Sequence, residues 1–144
     1  LTRAGSLKLL GGRLSLNLAN TVDWHASEAP VEMLTSYSEL VAWSVHAGIL
    51  TEGQGHRLLE EALQRPREAA EVLGQAIALR EAIYRILVAV TEESAPNATD
   101  ISILNGELSR TLARSRIVST AEGFIWGWSG ADHALDAMLW PVVR

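Results

Sequence analysis

Arg80 holds the position in this chain that most demands a chemical explanation. Advancing about 100° per residue along a helix gathers Val72, Leu73, Ala76, Ile77, Leu79, Ile83, Tyr84, Leu87 and Val90 into one wide apolar arc, with Arg80 near its middle. Glu71, Gly74, Glu81 and Arg85 occupy the opposite side. A guanidinium so placed snorkels to water, pairs with a buried acceptor, or receives an exogenous anion. An internal brace between helices is the commonest of these outcomes, and Asp23, Asn17, Asn20 and Asn105 are its candidate partners.

The run Leu14 to Trp24 threads Asn17, Asn20, Thr21 and Asp23 through apolar residues. A buried amide or hydroxyl without a partner costs about 1–3 kcal/mol, so this segment either locks the fold or lines a pocket. Phe124, Trp126 and Trp128 share one face of a strand by its period of 2. The core is their ordinary place, yet indoles also make a rigid pocket wall with one N–H donor each. The candidate binding site is therefore Asn17, Asn20, Thr21 and Arg80 as polar groups with Trp126 and Trp128 as aromatic wall, and a small anion is its natural ligand.

Other chemistries lack their residues. His25, His46, His56 and His133 form no HExxH or other compact ligand pattern, and His133 with Asp136 three residues on is too common a pair to mark a metal. There is no cysteine and no GxSxG elbow, so no catalytic nucleophile stands out. Gly11-Gly12 and Gly53-Gln54-Gly55 lack the surroundings of a phosphate loop. His25, beside Trp24 and near Asp23, could titrate near neutrality, although an exposed loop histidine is its plainer reading.

These residues need elements to carry them. Leu7 to Leu10 with Gly11-Gly12 reads as a short extended piece and a turn. From Leu14 to Val22 strand and helix patterns compete, with helix favoured, and residues 25–34 read as a loop. Ser36 caps a helix through Ala47 that Gly48 ends. Thr51 caps the next, with Leu58, Leu59, Ala62 and Leu63 on its buried side. Pro66 opens the longest helix, running to about Val90.

Thr99-Asp100 begin another, with Ile101, Leu104, Leu108 and Leu112 as its core stripe. Ile117-Val118 and Phe124 to Trp128 bracket Ala121-Glu122-Gly123 as a hairpin. A final helix spans roughly Asp132 to Leu139, interrupted or ended by Pro141. The expected fold is mainly α with one small β-hairpin, a compact single-domain helical bundle of about six helices.

Composition sets the outer bounds. The 144 residues are 48% hydrophobic and 20% charged, which suits one globular core. No apolar run approaches the roughly 20 residues that span a bilayer, so no membrane role is expected and a cytoplasmic place is the default. A net charge of −5 argues against wrapping a polyanion. Arg110, Arg114 and Arg116 lie close together, and read best as solvated residues near a helix end.

Several segments in order resemble a known family. They are Gly11-Gly12 through Leu16-Asn17-Leu18-Ala19-Asn20-Thr21-Val22-Asp23-Trp24, then Leu40-x-x-Trp43 with Gly48-Ile49-Leu50, then Leu79-Arg80-Glu81-Ala82-Ile83-Tyr84, Leu104-Asn105, Phe124-x-Trp126-x-Trp128 and Leu139-Trp140-Pro141-Val142. Their succession resembles the ABATE domain, the N-terminal part of bacterial proteins that end in a CGNR-type zinc finger. The likeness spans nearly the whole chain, so residues 1–144 are expected to form one such domain.

The resemblance implies a stress-responsive transcription regulator in which this domain senses a ligand and the finger contacts DNA. Zinc is expected only in that C-terminal finger, which is absent from this chain. Relatives usually carry Asp where Asn17 stands and Phe where Leu18 stands, so Arg80 must find another acid, such as Asp23, or remain open to an anion. Two other functions compete. One is a small enzyme on an anionic substrate with Asp23 or His25 as base. The other is a structural or homodimerising module using apolar residues near Leu135, Met138 and Leu139.

Overall fold

The computed structural model describes residues 4–9, 12–23 and 25–144. A single 3-10 turn, Ala4–Ser6, precedes helix α1, Leu14–Ala19. The helical alternative thus prevails at the start of the polar-studded run, which then leaves the helix for a two-residue strand. That strand, β1 (Val22–Asp23), pairs antiparallel with β2 (Val31–Glu32), joining Val22 to Glu32 and Asp23 to Val31. Residues 25–34 are therefore not wholly loop. Two residues of ladder are too few to show alternation, so no periodicity announced them. Leu10 and Gly11, within the extended piece and turn expected there, and Trp24 lie outside the described residues.

Helix α2 (Tyr37–His46) starts where Ser36 Oγ accepts the Glu39 N–H at 3.2 Å, and it stops before Gly48, whose φ of +74° suits glycine. Helix α3 (Glu52–Gln64) begins with a reciprocal box. Gln54 N–H donates to Thr51 Oγ1 at 3.2 Å and Thr51 N–H to Gln54 Oε1 at 2.9 Å. A Cβ at Gly55 would stand 3.0 Å from Val45 Cγ2, so its absence lets α3 cross close to α2. Leu58 is buried as expected and Leu59 and Ala62 half-buried, but Leu63 is exposed, beyond the edge of the covered stripe.

Helix α4 (Pro66–Thr91) runs 26 residues from Pro66 in its first turn. Helix α5 (Ala98–Arg114) is capped by Asn97, whose Oδ1 accepts the Thr99 N–H at 2.8 Å. Here the core stripe is corrected. Ile101 and Leu112 are exposed and Leu104 and Leu108 half-buried, while Asp100, Glu107 and Thr111 are the buried residues of the helix. Two of those three are acids held by arginines. Arg85 of α4 grips Asp100 with contacts of 2.7 and 3.0 Å, and Arg110 pairs with Glu107.

Strands β3 (Ser115–Thr120) and β4 (Gly123–Trp128) form the larger hairpin around a two-residue turn, Ala121-Glu122. Gly123 takes φ of +130°, beside the turn, where a side chain would be strained. The chain closes with a 3-10 turn, Ala137–Leu139, and helix α6, Trp140–Val143. The final helix expected over Asp132 to Leu139 is thus displaced toward the end. Pro141 sits in the first turn of α6, where its missing N–H costs nothing.

One cluster of buried side chains joins these elements: Leu18 from α1, Leu40 and Trp43 from α2, Leu58 from α3, Ala76 and Leu79 from α4, and Leu135 and Met138 near the end. Tyr37 Oη donates to the Leu135 carbonyl at 2.8 Å and ties α2 to that last segment. Burial pushes the Tyr37 hydroxyl well above its ordinary range. Because Leu135, Met138 and Leu139 are themselves inside, the dimer surface expected there is already used by the fold. Among the described residues the architecture is mainly α with two small antiparallel hairpins rather than one.

Candidate functional site

Arg80 lies on the inward side of α4 and is 2% exposed. Its guanidinium is filled by two carboxylates. Nη1 donates to Glu32 Oε1 at 2.7 Å and Nη2 to Glu32 Oε2 at 2.8 Å, the bidentate geometry that planar guanidinium favours. Nε and Nη2 also reach Glu81 Oε1 at 2.9 and 2.8 Å. Strand β2 exists at the place where it can deliver Glu32, and Glu32 Oε1 accepts the Leu34 N–H at 2.7 Å as well.

The electrostatics follow from this packing. Burial alone would raise the Glu32 and Glu81 carboxyls, but hydrogen bonds from Arg80 and its charge outweigh that penalty, helped at Glu32 by the Leu34 N–H and at Glu81 by His25. Both carboxyls sit below their ordinary value of 4.5. Burial likewise disfavours the Arg80 charge, and the bonds from Glu32 and Glu81 more than restore it. Glu81 Oε2 stands 2.8 Å from His25 Nε2, and the His25 ring lies on Tyr84 with centroids 3.6 Å apart. His25 is accordingly a half-buried member of this network and not an exposed loop histidine.

The other expected polar residues have varied places. Thr21 is fully buried and its hydroxyl donates to the Leu18 carbonyl at 2.7 Å. Asn20 is exposed at the end of α1, where its N–H reaches the Leu16 carbonyl at 3.1 Å. Asn17 is half-buried on α1. Asp23 and Asn105 are exposed, and the acids that hold Arg80 are Glu32 and Glu81.

Trp126 and Trp128 belong to a different neighbourhood. Trp128 packs against the buried Trp140 with centroids 5.7 Å apart, whereas Trp126 is 59% and Phe124 78% exposed. Trp126 and Phe124 are thus surface and not core. The guanidinium of Arg144 lies 4.9 Å from the Trp126 ring and 5.3 Å from Trp128, and Arg114 stands 5.4 Å from Trp140. No described contact joins the two indoles to Arg80.

A cleft of about 500 Å³ opens where α1, α4, α5 and α6 meet. Its apolar lining includes Leu14, Ile83, Leu87, Leu104 and Val142, and its polar lining Arg13, Ser15 and Arg144. Neither arginine is ion-paired with a carboxylate among the described residues. That volume lies within the range of small-molecule pockets, which run roughly 300–1,000 Å³ with mostly apolar walls. Sequence reasoning missed it because Arg13 and Arg144 flank short elements, and only folding brings the two ends of the chain together.

A second groove, about 580 Å³, lies between α2 and α3 and includes His46 and His56. His46 Nε2 is held at the Leu7 carbonyl and His56 Nδ1 at the Glu52 carbonyl. Among the described residues no three His, Cys, Asp or Glu side chains gather as a metal site would require. His133 meets Glu61 at 2.9 Å. No helix among the described residues is long and apolar enough to cross a membrane.

Neither a curated relative nor a solved structure matches the chain. A family model, ABATE, described as "Putative stress-induced transcription regulator", matches residues 12–144. That match takes in both arginines of the cleft and every residue of the Arg80 network, and the chain belongs to the ABATE family.

Proposed function

We propose that this chain is the ligand-sensing domain of a bacterial stress-responsive transcription regulator acting in the cytoplasm, and that the cleft between α1, α4, α5 and α6 takes the ligand. The observation that carries this reading is the cleft itself: a mostly apolar lining of small-molecule size with Arg13 and Arg144 on it, neither paired with a carboxylate among the described residues. Arg80 supports it from behind, since the helix that Arg80 anchors also supplies Ile83 and Leu87. In this reading Asn17 and Thr21 hold α1 in place beside the cleft, and DNA contact belongs to a zinc finger outside the chain.

Native mass spectrometry of the full-length protein taken from its host tests the proposal. A small molecule retained by the wild type and lost from a folded Leu87→Trp variant, whose indole would fill the cleft, is the expected result. Equal occupancy of the two proteins, or an empty wild type, contradicts it.

A further inference from the structure

Resting on the cleft as the sensing site, we infer that its occupant is an anionic amphiphile, a carboxylate on an apolar body, whose head group competes with Trp126 and Trp128 for Arg144. The lining selects the class. Leu14, Ile83, Leu87 and Val142 would cover an apolar body, and taking that surface out of water favours binding. A bare inorganic anion would forgo this contact, and a cationic amphiphile would meet Arg13 and Arg144. A neutral one would leave both charges unused.

Arg144 occupies two places at once. It lines the cleft, and its Cζ lies 4.9 Å from the Trp126 ring and 5.3 Å from that of Trp128. A carboxylate offers the Arg144 guanidinium two charge-assisted hydrogen bonds in a fixed geometry, where the indoles offer only their ring faces. A carboxylate entering the cleft therefore draws Arg144 off the indoles. The face it leaves is the side of the β3–β4 hairpin that carries Trp128, which packs on the buried Trp140, and on which Ile117, Phe124 and Trp126 stand exposed. Occupancy of the cleft thus changes that face from cation-capped to bare aromatic, which gives the ligand a route to the protein surface.

The test titrates decanoate, 1-decanol and decyltrimethylammonium, below their aggregation concentrations, into the full-length protein and into its Arg144→Met, Trp126→Phe and Leu87→Trp variants. Calorimetry reads binding and tryptophan emission reads the indoles. Decanoate is expected to bind at least about tenfold more tightly than decanol, the preference expected of a charge-assisted contact, with the ammonium weakest. Arg144→Met should remove most of that preference and the emission change, while Trp126→Phe keeps the affinity and loses most of the emission change.

Equal binding of decanoate and decanol, both blocked by Leu87→Trp, overturns the anionic class and leaves the cleft reading standing. Decanoate binding without any change in emission overturns the exchange of Arg144. Binding of no probe to the folded wild type, or binding that Leu87→Trp leaves intact, overturns the cleft reading itself.

Discussion

Arginine meets apolar surface at two places in this molecule, and the two are solved differently. Arg80 is sealed inside, with its guanidinium divided between Glu32 and Glu81. Arg144 stands outside, over two indoles and beside an apolar cleft, with no carboxylate among the described residues. A buried cation without acceptors would be strongly unfavourable, so the chain supplies two acids at Arg80. An exposed cation carries no such demand. The comparison teaches that a charge in an apolar setting marks structure when it is satisfied from within, and the proposed recognition rests on the charge that is not.

Breaking the inner pair should have the largest effect. Arg80→Met is expected to lower unfolding free energy by about 3 kcal/mol in chemical denaturation, at the low end for a broken buried pair because Glu32 is 38% exposed and can rehydrate. Arg144→Met should stay within about 0.5 kcal/mol of wild type. Equal losses at the two positions would erase the distinction.

Glu32→Gln is expected to cost about 2 kcal/mol, since Arg80 retains Glu81. It should also change the acid limb of stability. Glu32 and Glu81 have carboxyls depressed in the folded state, so the stability they contribute is fully present above their ordinary value of 4.5 and is lost as pH falls through the lower folded values. Denaturation midpoints followed from pH 7 to 3 should fall less steeply for Glu32→Gln than for wild type. Phe124→Ser should change stability by no more than about 0.5 kcal/mol, because its ring is exposed. A loss of 2 kcal/mol in thermal melts would return the hairpin face to the core.

Helix starts were legible in the sequence at Ser36 and Thr51, whose side-chain caps are local interactions, and at Pro66, whose ring suits a first turn, whereas the Asn97 cap of α5 was passed over for Thr99-Asp100. Arg80 announced its need for acceptors through its place in the apolar arc. Its partners were hidden for two reasons. Glu32 comes from a two-residue strand without periodicity, and Glu81, placed on the far side by helix projection, reaches back with a long side chain. Alternation put Phe124, Trp126 and Trp128 on one face, but the period says nothing of whether that face is covered. The stripe of α5 failed similarly, since Arg85 and Arg110 make burial of Asp100 and Glu107 favourable at the expense of Ile101 and Leu112.

The division of labour between the arginines can be read directly by guanidinium-detected NMR of the full-length protein, with Arg80, Arg13 and Arg144 assigned by substitution. On addition of decanoate the account predicts that the Arg13 and Arg144 signals move while those of Arg80 stay fixed. Movement of Arg80 with Arg13 and Arg144 unchanged would contradict it.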